Sequence, residues 1–372
     1  MGHGVIPDPL LGDNMRIETW QTLVHVCRRW RSLVFQSPRR LNLRLVCTPK
    51  TSLRDTLDIW PALPLIVRGL GAPFGTDNII TTLGQSNRIC QVIIVDLLYG
   101  QFEQLLAAMQ VPFPELTDLR LSSSLKPQEV IPDPGSFLGG SAPRLQYVSL
   151  SGIPFPGLPT LLMSATHLVE LRLSKIDHSG FISPEAMGAL LSVLSSLELL
   201  SLEFQYSESQ PFPDWESPRL PPARRSVLPA LDALHFGGVI KYLGDLVTFI
   251  DAPQLNFLNV TFFNEIDLDC GPRLAQFINR TPSLRALDEA RVEFGDGSAN
   301  VRLRYRPSES SSNDILIEIL CREPDCQLSS IEQVCNSSLP PTSAVENLHI
   351  EHHYLELVWK NDAIENTLWL QL

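Results

Sequence analysis

The sequence predicts an α/β fold: an irregular solenoid with a curved parallel sheet, helices on its convex side, and a small helical segment in front of it. Three observations carry this. A six-residue apolar pattern recurs through most of the chain at intervals of 23 to 34 residues. Stretches with apolar residues at helical spacing lie between the copies. Near the N-terminus Trp20, Leu23, Val24, Cys27, Trp30 and Val34 recur at steps of three and four, the stripe of an amphipathic helix.

In chain order, residues 1–45 read as the helical segment and 46–372 as the repeat array, with loop insertions near 205–229 and 295–313. One helix is expected over Thr19–Val34, with Arg28, Arg29 and Arg31 opposite the apolar stripe. Pattern alone also allows an ordinary helix with a core-facing Trp and solvated arginines. Leu41, Leu43 and Leu45 alternate as in a half-buried strand. Asp55–Trp60 reads as a helix end stopped by Pro61. Leu65–Val67 and Ile89–Val95 are short strands, the latter apolar on both faces.

The repeating unit is apolar-x-x-apolar-x-apolar. It stands at Leu116-Leu119-Leu121, Leu145-Val148-Leu150, Leu168-Leu171-Leu173, Leu197-Leu200-Leu202, Leu231-Leu234-Phe236 and Leu255-Leu258-Val260. Ile89-Val92-Ile94 is an earlier member, Leu284-Leu287 a weaker one and Val345-Leu348-Ile350 a late one. The spacing suits leucine-rich repeats. One strand and one helix cannot close a core, so neighbouring units must stack. Within each strand the first, fourth and sixth positions point to the shared core. The third, fifth and seventh point to the open face. That face offers Asp118, Arg120, Tyr147, Glu170, Arg172, Glu203, His235, Phe257 and Asn259 as candidate target-binding residues. Tyr147 and Phe257 are favoured as interface aromatics; any single one can also be plain solvated strand surface.

Helical connections are expected at Ser183–Ser195, Gly238–Ile250 and Gly271–Asn279, with Pro184 at a helix start where its missing N–H costs nothing. The asparagine ladder of regular repeats is absent: Ser124, Ile153, Ile176, Gln205 and Phe263 stand in its place. Gln205–Pro229, with six prolines and four serines, and Pro307–Asn313 read as exposed loops. Trp369–Leu372 stops on an apolar pattern without the polar cap of a finished array.

Composition narrows the function. The chain is 44% hydrophobic and 19% charged, with a formal net charge of −12. Acidity disfavours a nucleic-acid role, because phosphate binding needs a basic surface. Basic character is confined to residues 16–44, with seven arginines against Glu18. No secretory signal and no apolar run long enough to span a membrane is seen. Seven scattered cysteines suit reduced thiols in a cytoplasmic or nuclear protein. No nucleotide-binding glycine motif or nucleophile elbow is present. His349-Ile350-Glu351-His352-His353 is not the helical zinc motif, and Cys321, Cys326 and Cys335 match no standard zinc spacing. No cofactor or metal is expected, and no residue-level sign of catalysis is found.

One stretch supports a sharper reading. Val26-Cys27-Arg28-Arg29-Trp30-Arg31, with Ile6-Pro7-Asp8 before it and Phe35 to Leu45 after it, resembles the F-box of fungal F-box-like proteins carrying C-terminal leucine-rich repeats. The resemblance covers roughly residues 5–70 directly and implies docking on the adaptor of a cullin-type (SCF) ubiquitin ligase. It assigns adaptor binding to Pro7, Trp20, Val26, Cys27, Trp30 and Val34. One departure stands out: Pro9 and Gly12 fall where the family's first helix runs, so that helix looks shortened. The leading expectation is therefore a substrate-recognition subunit partnered by the SCF adaptor, the cullin and an unknown target protein. The alternative is a repeat scaffold that binds a protein without any ligase.

Overall fold

The computed structural model describes residues 19–36, 43–49, 62–70, 76–123, 137–153, 158–177, 180–205, 224–263, 271–285, 287–304, 314–321, 323–337 and 345–352. The strands are β1 (Leu45–Cys47), β2 (Leu65–Leu70), β3 (Ile89–Leu97), β4 (Asp118–Ser123), β5 (Tyr147–Ser151), β6 (Glu170–Ile176), β7 (Leu199–Phe204), β8 (Ser226–Val227), β9 (Ala233–Gly238), β10 (Ile250–Asp251), β11 (Phe257–Phe263), β12 (Glu289–Phe294), β13 (Ser298–Arg304), β14 (Asp314–Leu320) and β15 (Asn347–His352). The helices are α1 (Thr19–Val26), α2 (Arg28–Gln36), α3 (Thr76–Leu83), α4 (Tyr99–Ala108), α5 (Leu158–Ser164), α6 (Pro184–Leu191), α7 (Ile240–Phe249), α8 (Gly271–Arg280) and α9 (Pro324–Ser337).

Thirteen strands form one sheet in the order β1-β2-β3-β4-β5-β6-β7-β9-β11-β14-β13-β12-β15, and β8 and β10 form a separate parallel pair. From β1 to β11 every neighbour is parallel and the chain advances across the sheet in one direction. Parallel crossovers of one hand then place the connecting segments on one side. Burial agrees: Leu119, Leu121, Val148, Leu150, Leu171, Leu200, Leu202, Leu234, Leu258 and Val260 are all nearly or fully buried, while the alternate residues are partly open, except Asp118 and Gly237, which are buried. These side chains belong to one continuous core, which the solenoid-like stacking requires.

A turn recurs just before the strands. The N–H of Leu116, Leu145, Leu168, Leu197, Leu231, Leu255 and Leu284 donates to the carbonyl three residues earlier, at Phe113, Ala142, Ala165, Leu194, Leu228, Ala252 and Thr281. Pro114, Pro143, Pro229, Pro253 and Pro282 occupy the second turn position, which wants their fixed φ. The residue just after the leading leucine carries the register onward. The Thr117 carbonyl accepts from Gln146 and Tyr147, that of Gln146 from Val169 and Glu170, that of Val169 from Glu198 and Leu199, that of Glu198 from Asp232 and Ala233, and that of Asp232 from Asn256 and Phe257. These five carbonyls thus link six successive units without an asparagine ladder. Helix α6 starts as the sequence implies: Ser183 Oγ accepts from the Ala186 N–H at 3.2 Å, with Pro184 in the first turn. A Cβ on Gly188 would stand 2.6 Å from that of Phe249, so α6 and α7 meet closely there because Gly188 has none.

Three expectations need correction. First, the helix expected over Thr19–Val34 is two helices, broken at Cys27. Arg31 N–H donates to the Cys27 carbonyl at 3.1 Å, and Arg31 Nε to the Val24 carbonyl at 3.1 Å, so the arginine caps the end of α1. Second, the stretch near 295–313 is not simply a loop. Ser298–Arg304 is β13, antiparallel to both β12 and β14, with Ala299, Val301 and Leu303 buried. The weak unit at Leu284-Leu287 therefore leads into a strand set apart from β11 by β14 and β13, not beside it. Gly295 N–H donates to the Ser298 carbonyl at 2.9 Å to close the β12–β13 turn. Third, Cys321 and Cys326 are joined as a disulfide, against the reading of reduced thiols or zinc ligands for that pair. The helix expected at Asp55–Trp60 and the loops expected within 206–223 and 305–313 lie outside the described residues.

Candidate functional site

Two surfaces collect the residues that the sequence singles out. The larger is the sheet face opposite the helices. In-register pairing sets its residues in rows. One row runs Asp118, Tyr147, Glu170, Leu199, Ala233, Phe257 and Asp314. The next runs Arg120, Ser149, Arg172, Ser201, His235, Asn259 and Leu316. A third includes Glu203, Gly237, Thr261 and Glu318. All nine sequence-named face residues therefore stand on one face of adjacent strands. Leu199, Ala233, Gly237 and Thr261 share it and were legible from the same third, fifth and seventh positions. Asp314, Leu316 and Glu318 were not named, although Ile315, Ile317 and Ile319 alternate as a strand should.

The charges on this face are largely satisfied within it. Residues two apart on a strand share a face, so Arg120 meets Asp118 through Nε–Oδ1 at 3.0 Å and Nη2–Oδ2 at 3.3 Å. Arg172 Nε reaches Glu170 Oε1 at 2.5 Å. Farther along the sheet Arg304 pairs with Glu289 at 2.6 Å and Arg291 with Glu293 at 2.7 Å and with Glu351. Such pairs hold the arginines flat on the strands and contribute little stability where exposed.

Between these pairs lies a less charged strip centred on β9 and β11. The ring centroids of His235 and Phe257 are 5.3 Å apart, and His235 Nδ1 lies 3.5 Å from Asn259 Nδ2. Burial, and then the neighbouring Arg172 charge, push the His235 pKa below its ordinary value, so the ring is neutral at neutral pH. Thr261 Oγ1 donates to Glu318 Oε2 at 3.2 Å. Ala233, Ser201 and Gly237 are small neighbours of Phe257 and His235 on this face, and both rings are half-buried, so part of each stays open for contact.

The second surface is α1–α2. Val24 and Val34 are buried, and Leu23 and Phe35 pack against the same core as the sheet. Val26, Trp30 and Leu33 instead point outward, 63%, 46% and 57% exposed. Cys27 is exposed as well. The helix breaks at Cys27, and the stripe expected of one continuous helix divides into a buried and an exposed part. Of the sequence-named docking residues, Val26, Cys27 and Trp30 are accessible and Val34 is not; Pro7 and the Trp20 side chain lie outside the described residues. Arg28 and Arg29 are exposed beside the apolar group.

Among the described residues no group of three or more His, Cys, Asp or Glu is placed to hold a metal ion, and no helix is long and apolar enough to cross a membrane. No protein-family model, curated protein or solved structure matches the chain.

Proposed function

We propose that the chain is the substrate-recognition subunit of an SCF-type ubiquitin ligase, with α1–α2 as the remnant F-box and a leucine-rich-repeat stack behind it. The observation that supports this best is the outward face of Val26, Trp30 and Leu33. A tryptophan and two aliphatic side chains gathered in solvent beside arginines suit a docking surface better than a core helix. The role is positional. The adaptor takes α1–α2, the open sheet face holds a target through Tyr147, Phe257 and their polar neighbours, and the target's effective concentration at the ubiquitin-loaded enzyme rises. Work of this kind belongs in the cytoplasm or nucleus.

The test is a pull-down of the adaptor–cullin pair with the purified chain. Retention is expected, and Trp30→Ala should weaken it roughly thirtyfold or more, the loss of an interface anchor. Trp30 is half exposed, so this substitution leaves the core intact and a loss of binding reports the surface itself. No retention at micromolar adaptor would favour the plain scaffold, the reading that Pro9 and Gly12 in the sequence support.

A further inference from the structure

Cys321 follows the last residue of β14, and Cys326 lies in the first turn of α9. Their Cα atoms are 6.4 Å apart and both side chains are partly open to solvent. Hydrogen bonds as well as the S–S bond hold the backbone around the pair. Cys321 N–H donates to the Gly297 carbonyl at 3.1 Å. The fully buried Gln327 side chain donates from one Nε2 to the Cys321 carbonyl at 2.7 Å and to the Gly295 carbonyl at 3.0 Å. Gln327 N–H in turn donates to the Glu323 carbonyl at 3.0 Å. With the bond open, both sulfurs stay within reach, so closure is an intramolecular step at high effective concentration.

We propose that Cys321 and Cys326 are a reversible thiol–disulfide exchange site whose reactant is a low-molecular-weight disulfide such as oxidised glutathione. In the closing direction one cysteine thiolate attacks a sulfur of the small disulfide, forms a mixed disulfide and releases one small thiolate. The second cysteine thiolate attacks the protein sulfur of that mixed disulfide and releases the other small thiolate. Two protein thiols are oxidised, the small disulfide is reduced to two thiols, and the two protons pass to the departing thiolates. The proximity of the two sulfurs drives the exchange. Other cysteines serve as contrasts. Cys27 is exposed, while burial pushes the Cys47 and Cys90 thiols up and slows them. The closed bond fastens the start of α9 to the end of β14 and, through Gln327, to the β12–β13 turn.

The experiment equilibrates the full chain in buffers of graded oxidised-to-reduced glutathione, traps free thiols by alkylation and reads the cysteine peptides by mass. Cys321 and Cys326 are expected to lose alkylation together, regain it when reduced glutathione is restored, and carry no glutathione at the oxidised end. In Cys321→Ser, Cys326 should instead accumulate as the glutathione mixed disulfide, and Cys326→Ser should do the same to Cys321. Hydrogen exchange of residues 323–330 should speed up roughly ten- to thirtyfold on reduction, the freedom returned to a short loop. Free thiols at every ratio, a bond that excess reduced glutathione never reopens, or pairing of either sulfur with a different cysteine would each overturn the proposal.

Discussion

Tyr242 ties together four elements that are far apart in the chain. Its ring lies 4.7 Å from that of Phe204, 5.8 Å from Phe181 and 5.9 Å from Phe236, centroid to centroid. Its hydroxyl donates to the Ile182 carbonyl at 2.8 Å, 60 residues earlier. Burial pushes this phenol well above the ordinary tyrosine range. A group whose folded pKa is raised contributes stability that is whole below the unfolded value and drains away as pH rises past it. The unfolded chain releases its proton near pH ~10 and the folded chain does not, so stability falls above that pH by up to about 1.4 kcal/mol per unit. Tyr242→Phe keeps the ring contacts and deletes both the hydrogen bond and this titration. It should cost about 1 kcal/mol in urea unfolding at pH 7, and the gap to the parent chain should close as pH climbs past ~10. A gap that is constant in pH would place the hydroxyl in water. The sequence shows Tyr242 only as one member of a helical pattern, because its four-ring cluster depends on how β7, β9 and α7 meet. Trp30 teaches the same lesson from the other side. Its place on an apolar stripe is plain in the sequence, but the burial of that stripe depends on whether the helix runs unbroken through Cys27.

At the scale of elements the strands were the most legible part, because position in the six-residue unit fixes which side chains turn inward. The turn ahead of each strand was equally written in the residues and went unread. Phe113-Pro114, Ala142-Pro143, Leu228-Pro229, Ala252-Pro253 and Thr281-Pro282 each precede the leading leucine of a unit by the same offset. Two units lack the proline: Ala165-Thr166-His167-Leu168 and Leu194-Ser195-Ser196-Leu197 close the same bond without it. In the first of these the turn bond runs from the Leu168 N–H to the Ala165 carbonyl at 3.0 Å and does not involve Thr166 N–H. Thr166→Pro should therefore fit the native backbone while restricting the unfolded chain, adding about 0.4–1 kcal/mol. A higher urea midpoint at unchanged slope is the expected outcome. A lower midpoint would mean that this turn differs in backbone conformation from its five proline-bearing counterparts. The β12–β13 hairpin had a signal too, an Asp-Gly turn between runs of alternating apolar residues. The expectation of another repeat unit at Leu284 hid it.

For the molecule as a whole, the order of the last strands decides how the two ends share stability. Up to β11 each unit adds its strand beside the previous one, and contacts are mainly between neighbours. Beyond β11 the chain lays down β12 three places away and fills the gap with β13 and β14. No repeat spacing encodes that jump, since it depends on which edge the hairpin captures after α8. The consequence is a closing section in which β14, β13 and β12 must assemble together, because β13 has no parallel repeat neighbour and pairs only with strands from its own section. The repeat section, from β3 to β9, builds on nearest neighbours instead, and stability in such stacks is close to a sum of local terms. Val301, 1% exposed at the middle of β13, tests the division. Val301→Asp buries a carboxylate among Val292, Ile317 and their neighbours, a change costing several kcal/mol. Hydrogen exchange should then show β12, β13, β14 and β15 losing protection together while β4 to β7 keep theirs. Leu200→Ala, at about 2–5 kcal/mol, should do the reverse and open the stack around β7 with the hairpin section still closed. If both variants instead melted all strands in one step, the sheet would be a single cooperative unit, and its open face could not be adjusted at one end without loosening the other.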